Sequence, residues 1–381
     1  MTKPFSSIFG TGAPVRSRKV WSGADRLYPA IIGASKDPVK IRGSIPSVSS
    51  YGLLAHNGLD AYVFSSGTGI YTTPDLQTAT SRSLATSVAG PGASLVYFKG
   101  SFFYASNSAT PAPIVQRSAD KGVTWTSSSL ANASLSVIGD TLYACRLPLT
   151  SGYAADAGFQ TLSDPAGAVV SRAFSRASYW VKVAGNANRQ YAFAKSAWNS
   201  ASLVQADVST NGTSFSQDAA YEALAARAPS GAVLSNVASL ANGAVMVFSC
   251  TSSGLFSLVA DSAGAWSIGA SLPQELDGYR FVGIGSGGSY NAISQSYTDS
   301  DGVAHYIFIV QDAAGNYLAR IGSTYDGKEW RFLPPHYNFG TTLPTVQLGV
   351  FSKIDGTPLF HATVGALAEA NMNAVELYYE V

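Results

Sequence analysis

The residues of this chain best suited to chemistry are aromatic side chains set beside hydrogen-bonding ones. Trp198 stands in Ser-Ala-Trp-Asn-Ser, Tyr153 lies close before Asp156, and His336, Tyr337 and Phe339 crowd into His-Tyr-Asn-Phe. Indole and phenol rings stack on the C–H surfaces of sugars, and Asn, Asp and His beside them bond hydroxyls. These six residues are the expected ligand-binding set, and a glycan is the ligand they suit. Acid–base and nucleophilic chemistry has less to work with. Tyr378 and Glu380 stand at i, i+2 on one face of an expected strand, where ordinary strand decoration accounts for them. Glycoside cleavage needs two facing carboxylates, and the 23 acids of this chain single out no pair. No catalytic residue is assigned.

Metals and cofactors find no better purchase. His56, His305, His336 and His361 are too far apart in sequence for a zinc spacing. Asp299-Ser-Asp301-Gly302 opens like a calcium loop but lacks the closing Glu, so it reads as a hairpin turn. Gly283-Ile-Gly285-Ser-Gly287-Gly288 spells a dinucleotide fingerprint, yet the residues after it read as strand and offer no helix N-terminus for a pyrophosphate. Neither a cofactor nor a metal is expected.

The elements that must position these residues are short strands. Apolar residues make up 46% and charged residues only 12% of 381, with abundant Gly, Ser and Ala. That composition suits strands joined by tight turns rather than charged amphipathic helices. No run reaches the roughly 18 apolar residues of a membrane span, and the N-terminus lacks the apolar stretch of a signal peptide. Charge is uneven. Residues 1–42 hold Lys3, Arg16, Arg18, Lys19, Arg26, Lys36, Lys40 and Arg42 against Asp25 and Asp37, a balance of +6 within a chain of +1, so the remainder stands at −5. Residues 1–38 are therefore read as a basic docking arm, with Arg16, Arg18, Lys19 and Arg26 as its contacts, and residues 39–381 as the folded body. A protein partner is expected for the arm, and a nucleic acid is not.

Turns recur along the body. Ser118-Ala-Asp120-Lys-Gly122-Val-Thr124-Trp125 is the fullest copy. Weaker ones are Thr73-Pro-Asp75-Leu-Gln-Thr78, Ser163-Asp164-Pro165-Ala-Gly167, Ser209-Thr-Asn211-Gly212-Thr-Ser214-Phe215, Asp261-Ser-Ala-Gly264-Ala-Trp266 and Ser323-Thr-Tyr-Asp326-Gly327-Lys-Glu-Trp330. Their acidic or Asn positions are spaced by 45, 44, 47, 50 and 65 residues, a period that means stacked supersecondary units. In such a turn the carboxylate accepts backbone amides, the glycine takes a positive φ and the Trp packs beneath. Asp75, Ser118, Asp120, Gly122, Trp125, Asn211, Gly212, Asp326, Gly327 and Trp330 are thus structural. Strand signals around the turns give four short antiparallel strands per unit, the blade of a β-propeller. Seven blades are expected, six if the insertion at 278–304 hides a different count. The last unit stops one strand short, so a strand at 39–42 is expected to close the ring on it. Cys145 and Cys250 then fall in the third and fifth units and remain free thiols.

The eight residues from Ser118 to Trp125 match the sialidase-type Asp-box, S-x-D-x-G-x-T-W, and the chain resembles Asp-box propellers. That resemblance implies that the box hairpin joins the two outer strands, on the face away from the binding mouth. It places the mouth in loops 147–158, 195–202, 217–230 and 333–344, which carry the six aromatic and polar residues above. Sialidases also carry Arg-Ile-Pro near the start and three substrate-gripping arginines. Here Arg42-Gly-Ser-Ile45-Pro46 is interrupted, and no arginine sits in a matching motif. In style the chain resembles bacteriophage tail or fibre proteins. The resemblance implies a non-enzymatic virion protein held by its arm to other virion proteins and presenting the propeller to a host-surface polysaccharide. The alternatives are a glycan-cleaving enzyme and a cellular lectin or scaffold, in the bacterial cytoplasm or exported by an unconventional route.

Overall fold

The computed structural model describes residues 31–34, 39–40, 42–43, 53–66, 69–75, 78–86, 92–106, 115–132, 134–145, 155–197, 200, 202–240, 243–251, 253–282, 297–298, 302–332, 337–341, 346–352, 354, 358–364 and 373–379. Among them the chain is almost entirely β, with one helix, Ala219–Ala225.

The strands pair in sequence as antiparallel meanders. Leu53–His56, Tyr62–Ser66, Gly69–Thr73 and Thr78–Arg82 form one; Gly92–Phe98, Ser101–Ser106, Val115–Ser118 and Thr126–Ser127 form the next. Two further meanders are fused through the 17-residue strand Val170–Asn186. Its first half closes the sheet of Ser134–Ile138, Thr141–Cys145 and Asp156–Leu162. Its second half opens that of Arg189–Lys195, Leu203–Ser209 and Ser216–Gln217. Asn236–Ser239, Val245–Thr251, Gly254–Ala260 and Trp266–Leu272 come next. A more elaborate sheet at 275–340 is centred on Ala304–Gln311 and Tyr317–Thr324. The last sheet contains Val346–Ser352, Pro358–Val364 and Asn373–Tyr379, and Ile31–Ala34 pairs antiparallel along its outer edge. Val39–Lys40 also pairs with Asn373–Tyr379, and Arg42–Gly43 runs parallel to Thr78–Arg82 of the first meander.

The middle strands explain the composition. Every residue of Ser101–Ser106 and of Gly254–Ala260 is buried, because each such strand is covered on both faces by a neighbouring sheet. Among the described residues, the large apolar clusters each span two consecutive sheets. Leu53, Val63 and Ile70 pack with Leu95, Phe102, Tyr104 and Trp125 in one, and Phe103 and Val115 with Leu135, Leu142 and Leu162 in the next. The core is therefore a series of slabs, and stability depends on nearest-neighbour contacts. At the fused strand, Phe174 and Trp180 stack with ring centroids 4.0 Å apart across the crossover. Cys145 and Cys250 are buried free thiols in different sheets, and burial pushes the Cys250 thiol up.

Two expected loops have regular structure instead. Residues 217–230 contain the helix Ala219–Ala225, which the strong helix formers of Ala-Ala-Tyr-Glu-Ala-Leu-Ala build on the capping side chain of Asp218. Within 333–344, Tyr337–Gly340 is a strand that continues the outer edge of Tyr317–Thr324 beyond Arg331–Phe332.

Candidate functional site at the turn face

The repeated turns are built alike. In the fullest copy the Ser118 hydroxyl donates to Asp120 Oδ1 at 2.8 Å and accepts the Gly122 amide at 2.9 Å. Asp120 also accepts the Thr124 amide at 2.8 Å and the Thr124 hydroxyl at 2.5 Å. The Trp125 indole N–H donates to the Gly122 carbonyl at 2.9 Å. Burial pushes the Asp120 carboxyl up, but the bonds from Thr124 and Ser118 outweigh it and hold the group below the ordinary aspartate value. Thr73 and Thr78 bond Asp75 in the same way, and Ser209, Thr213 and Ser214 bond Asn211. At the copy near 326 the register differs from that read in the sequence. Thr324, not Ser323, bonds the Gly327 amide, at 2.9 Å. Ser323 points inward to His305 Nδ1 at 2.8 Å. One residue fewer separates Asp326 from its glycine, so the hydroxyl must come from one residue later.

Each turn abuts the preceding sheet. Gly122, at φ +84°, leaves no room for a side chain, because a Cβ there would meet Val63 Cγ2 at 2.5 Å and Thr72 Cγ2 at 2.9 Å. The corresponding point on Gly212 meets the Tyr143 hydroxyl at 2.6 Å, and on Gly327 it meets Val259 Cγ2 at 2.6 Å. The inner hairpins continue along the same face. Lys121 pairs with Asp60 at 2.5 Å, Lys99 with Asp140 at 3.5 Å, and Asn186 Nδ2 donates to the Gly243 carbonyl at 3.3 Å. In a four-strand meander the turns between strands one and two and between three and four stand at the same end. The turn carboxylates Asp75, Asp120, Asp164, Asp261 and Asp326 therefore share one face of the molecule.

A cleft of 570 Å³ opens on that face between the 236–272 and 275–340 sheets. Trp266 and Tyr325 form its aromatic walls, Asp261 and Asp326 stand beside them, and Lys328 also lines it. Each carboxylate spends one oxygen on its own turn. Asp261 Oδ1 accepts the Ala265 amide at 2.9 Å, and Asp326 Oδ1 accepts the amides of Lys328 and Glu329, both at 2.9 Å. The second oxygens take no part in these turn bonds, and the Arg189 guanidinium lies against the Asp261 turn, where a Cβ on Gly264 would meet its Nη1. Trp266 is held from behind: its indole N–H donates to Asp218 Oδ2 at 2.7 Å, while Asp218 Oδ1 caps the helix through the Tyr221 amide at 3.1 Å. The cleft offers an aromatic surface and acceptor oxygens, which suit a hydroxyl-rich or cationic group.

The other concentration of charge is spent internally. The Arg176 guanidinium bonds Glu222 on the helix and lies 3.8 Å from Asp207, whose side chain is fully buried. Asp207 in turn accepts the Ser175 amide at 2.7 Å and hydroxyl at 2.8 Å. Gln217 Nε2 and the Ala206 amide donate to Glu222 at 2.7 Å and 3.2 Å. Two carboxylates flank one arginine here, but their oxygens are committed to fixing the helix on the crossover.

The six residues expected to bind a glycan are not brought together within the described part. Tyr153, Trp198 and His336 lie outside the described residues, as do Arg16, Arg18, Lys19 and Arg26 of the arm. Asp156 begins the strand Asp156–Leu162, and Tyr337 and Phe339 lie on the edge strand Tyr337–Gly340 rather than in a mouth loop. Trp266, Tyr325 and Lys328 were missed, although the Asp261–Trp266 turn and Asp326 were legible as turn copies. Among the described residues no group of three or more His, Cys, Asp or Glu could hold a metal, and no helix is long and apolar enough to cross a membrane.

No family model matches the chain, and no curated protein matches it in sequence. Solved structures share its shape. YCF48 bound to D1 peptide superposes with a TM-score of 0.54 at 10% identity, over 93% of this chain and 97% of that one. Virginiamycin B lyase from Staphylococcus aureus gives 0.51 at 11%, over 88% and 97%. YCF48 from Cyanidioschyzon merolae gives 0.51 at 10%, over 89% and 98%. These neighbours are β-propellers of differing activity, and the likeness makes the present chain a β-propeller in fold.

Proposed function

We propose that the chain is a non-enzymatic subunit of a bacteriophage particle, a tail or fibre component that acts by docking and binding. In this reading seven four-strand blades, the Asp-box turns among them, form one ring clasped by residues 31–43. The arm ahead of the clasp docks on another virion protein through Arg16, Arg18, Lys19 and Arg26, and the propeller is presented to a host-surface polysaccharide. The observation that carries the reading is the pairing of Ile31–Ala34 with the outer edge of Asn373–Tyr379. An arm that leaves from such a seam is tied to both ends of the fold, so force on it loads the whole ring rather than peeling one strand.

Further contacts support closure. Inner strands of successive sheets touch in order along the chain, and Val346–Ser352 touches Leu53–His56. The virion assignment draws on low charge, Ser/Gly/Ala-rich β-repeats and scarce cysteine. Removal of residues 1–30, leaving Ile31–Ala34 in place, tests docking. The shortened chain should fold and yet be missing from assembled particles, and undiminished incorporation would remove the docking role. Labelled protein applied to a panel of bacterial cells tests the outer surface. Binding without released sugar is expected, weakened by Trp198→Ala, whereas released sugar would replace this reading with a glycosidase.

A further inference from the structure

Ile31, the described residue that follows the arm, and the cleft stand on one face by topology. In the last sheet the strand Asn373–Tyr379 is the third of its meander, so it runs toward the turn face and ends there. The turn-face position of this sheet's first hairpin is marked by the Ile354 amide, which bonds Tyr62 beside the 57–61 hairpin. Ile31 pairs with Tyr379. Ile31 therefore stands at the turn-face end of the fold, the face on which the turn aspartates stand.

We propose that in the free subunit the basic arm lies back across this face, with its Arg16–Lys19 stretch seated in the cleft against Asp261 and Asp326. Charge complementarity argues for this occupant: residues 1–30 hold Lys3, Arg16, Arg18, Lys19 and Arg26 against Asp25, a balance of +4, and the rest of the chain stands at −3. The lining argues for it as well. Asp261 and Asp326 have no ion pair among the described residues and each keeps one oxygen free of its turn, while the cleft is lined by the aromatic rings of Trp266 and Tyr325, the kind of surface guanidinium groups favour. The reach suffices. Lys19 precedes Ile31 by twelve residues, about 40 Å when extended. The cleft lies two sheet positions from the last sheet, about 20 Å where sheets pack face to face. The inference goes beyond the particle-docking reading and does not need it, since it concerns the isolated chain. If a docking partner does exist, it must compete with this seat.

Trypsin supplies the test, because Arg16, Arg18, Lys19 and Arg26 are cleavage sites. Cleavage of the full-length chain at these sites, followed by mass spectrometry, should be slow in dilute buffer. It should become several-fold faster in about 1 M salt, where the screening length shrinks to about 3 Å. Asp261→Asn with Asp326→Asn should give the fast rate even in dilute buffer. Asn211 holds a sibling turn through the same oxygen, so these substitutions remove charge without removing the turn. Lys328→Glu should slow cleavage further. Salt-independent cleavage of the unaltered chain, normalised to a neutral peptide substrate, would overturn the proposal without recourse to any variant. Protection that grows with protein concentration would also overturn it, since it would assign the cleft to the arm of a second copy.

Discussion

The hydroxyl of Tyr62 accepts a hydrogen bond from the backbone amide of Ile354 at 2.9 Å, across 292 positions of sequence. Tyr62 belongs to the first meander and is almost wholly buried, and Ile354 lies just after the first strand of the last sheet. The bond links the first meander to the last sheet at the turn face. Tyr62→Phe should lower stability by about 1 kcal/mol, the usual net worth of such a bond. Urea melts followed by intrinsic fluorescence check this, and an unchanged midpoint would mean that the seam bears no load.

Gly122 separates the cost of backbone strain from the cost of contact between sheets. Gly100 shares its φ of +84°, but nothing stands within 4 Å of the position a Cβ would take there. Gly100→Ala should cost about 1 kcal/mol, the left-handed penalty alone. Gly122→Ala must also displace Val63 and Thr72, and should cost about 1–3 kcal/mol more. Equal losses in the two variants would refute the view that these turns are the joints between sheets.

Trp266 links the helix to the sheet that comes after it. Trp266→Phe keeps most of the ring contact with Tyr191 and Tyr221 but leaves Asp218 Oδ2 without its indole donor. A loss of about 1–2 kcal/mol is expected in thermal unfolding. Asp218→Asn, which retains an acceptor for the helix cap, should recover part of that loss in the double variant.

Glu222 makes the helix anchorage depend on pH. Burial pushes its carboxyl up, but bonds from Arg176, Gln217 and the Ala206 amide outweigh burial and hold it below the ordinary value of 4.5. A depressed folded-state pKa contributes stability above the unfolded value, and that contribution is lost as pH falls through the folded one. The stability gap between the unaltered chain and Glu222→Gln should be full at neutral pH and shrink as pH drops below about 4.5. A gap that stays constant down to pH 3, about the floor of such titrations, would show that Arg176 does not favour the charged form.

Local rules account for what the sequence alone determined. Short apolar runs such as Ser101-Phe-Phe-Tyr-Ala105 signalled strands, and the spacing of Asp75, Asp120, Asp164, Asn211, Asp261 and Asp326 announced repeated four-strand units. The bonding of Asp120 with Ser118 and Thr124 came from side chains within four residues of each other. Registers that depend on one residue more or less escaped. Thr324 replaced Ser323 because Asp326 and Gly327 are adjacent, and the helix Ala219–Ala225 was hidden because seven residues show too little periodicity. The cleft was out of reach altogether. Trp266 opens a strand of one sheet and Tyr325 lies on a turn of the next, and only the stacking of those sheets sets their separation. Tertiary structure likewise decided that the turn aspartates share a face and that Ile31 joins it there. Strand direction around a stacked array fixes such juxtapositions, and no short stretch of sequence contains them.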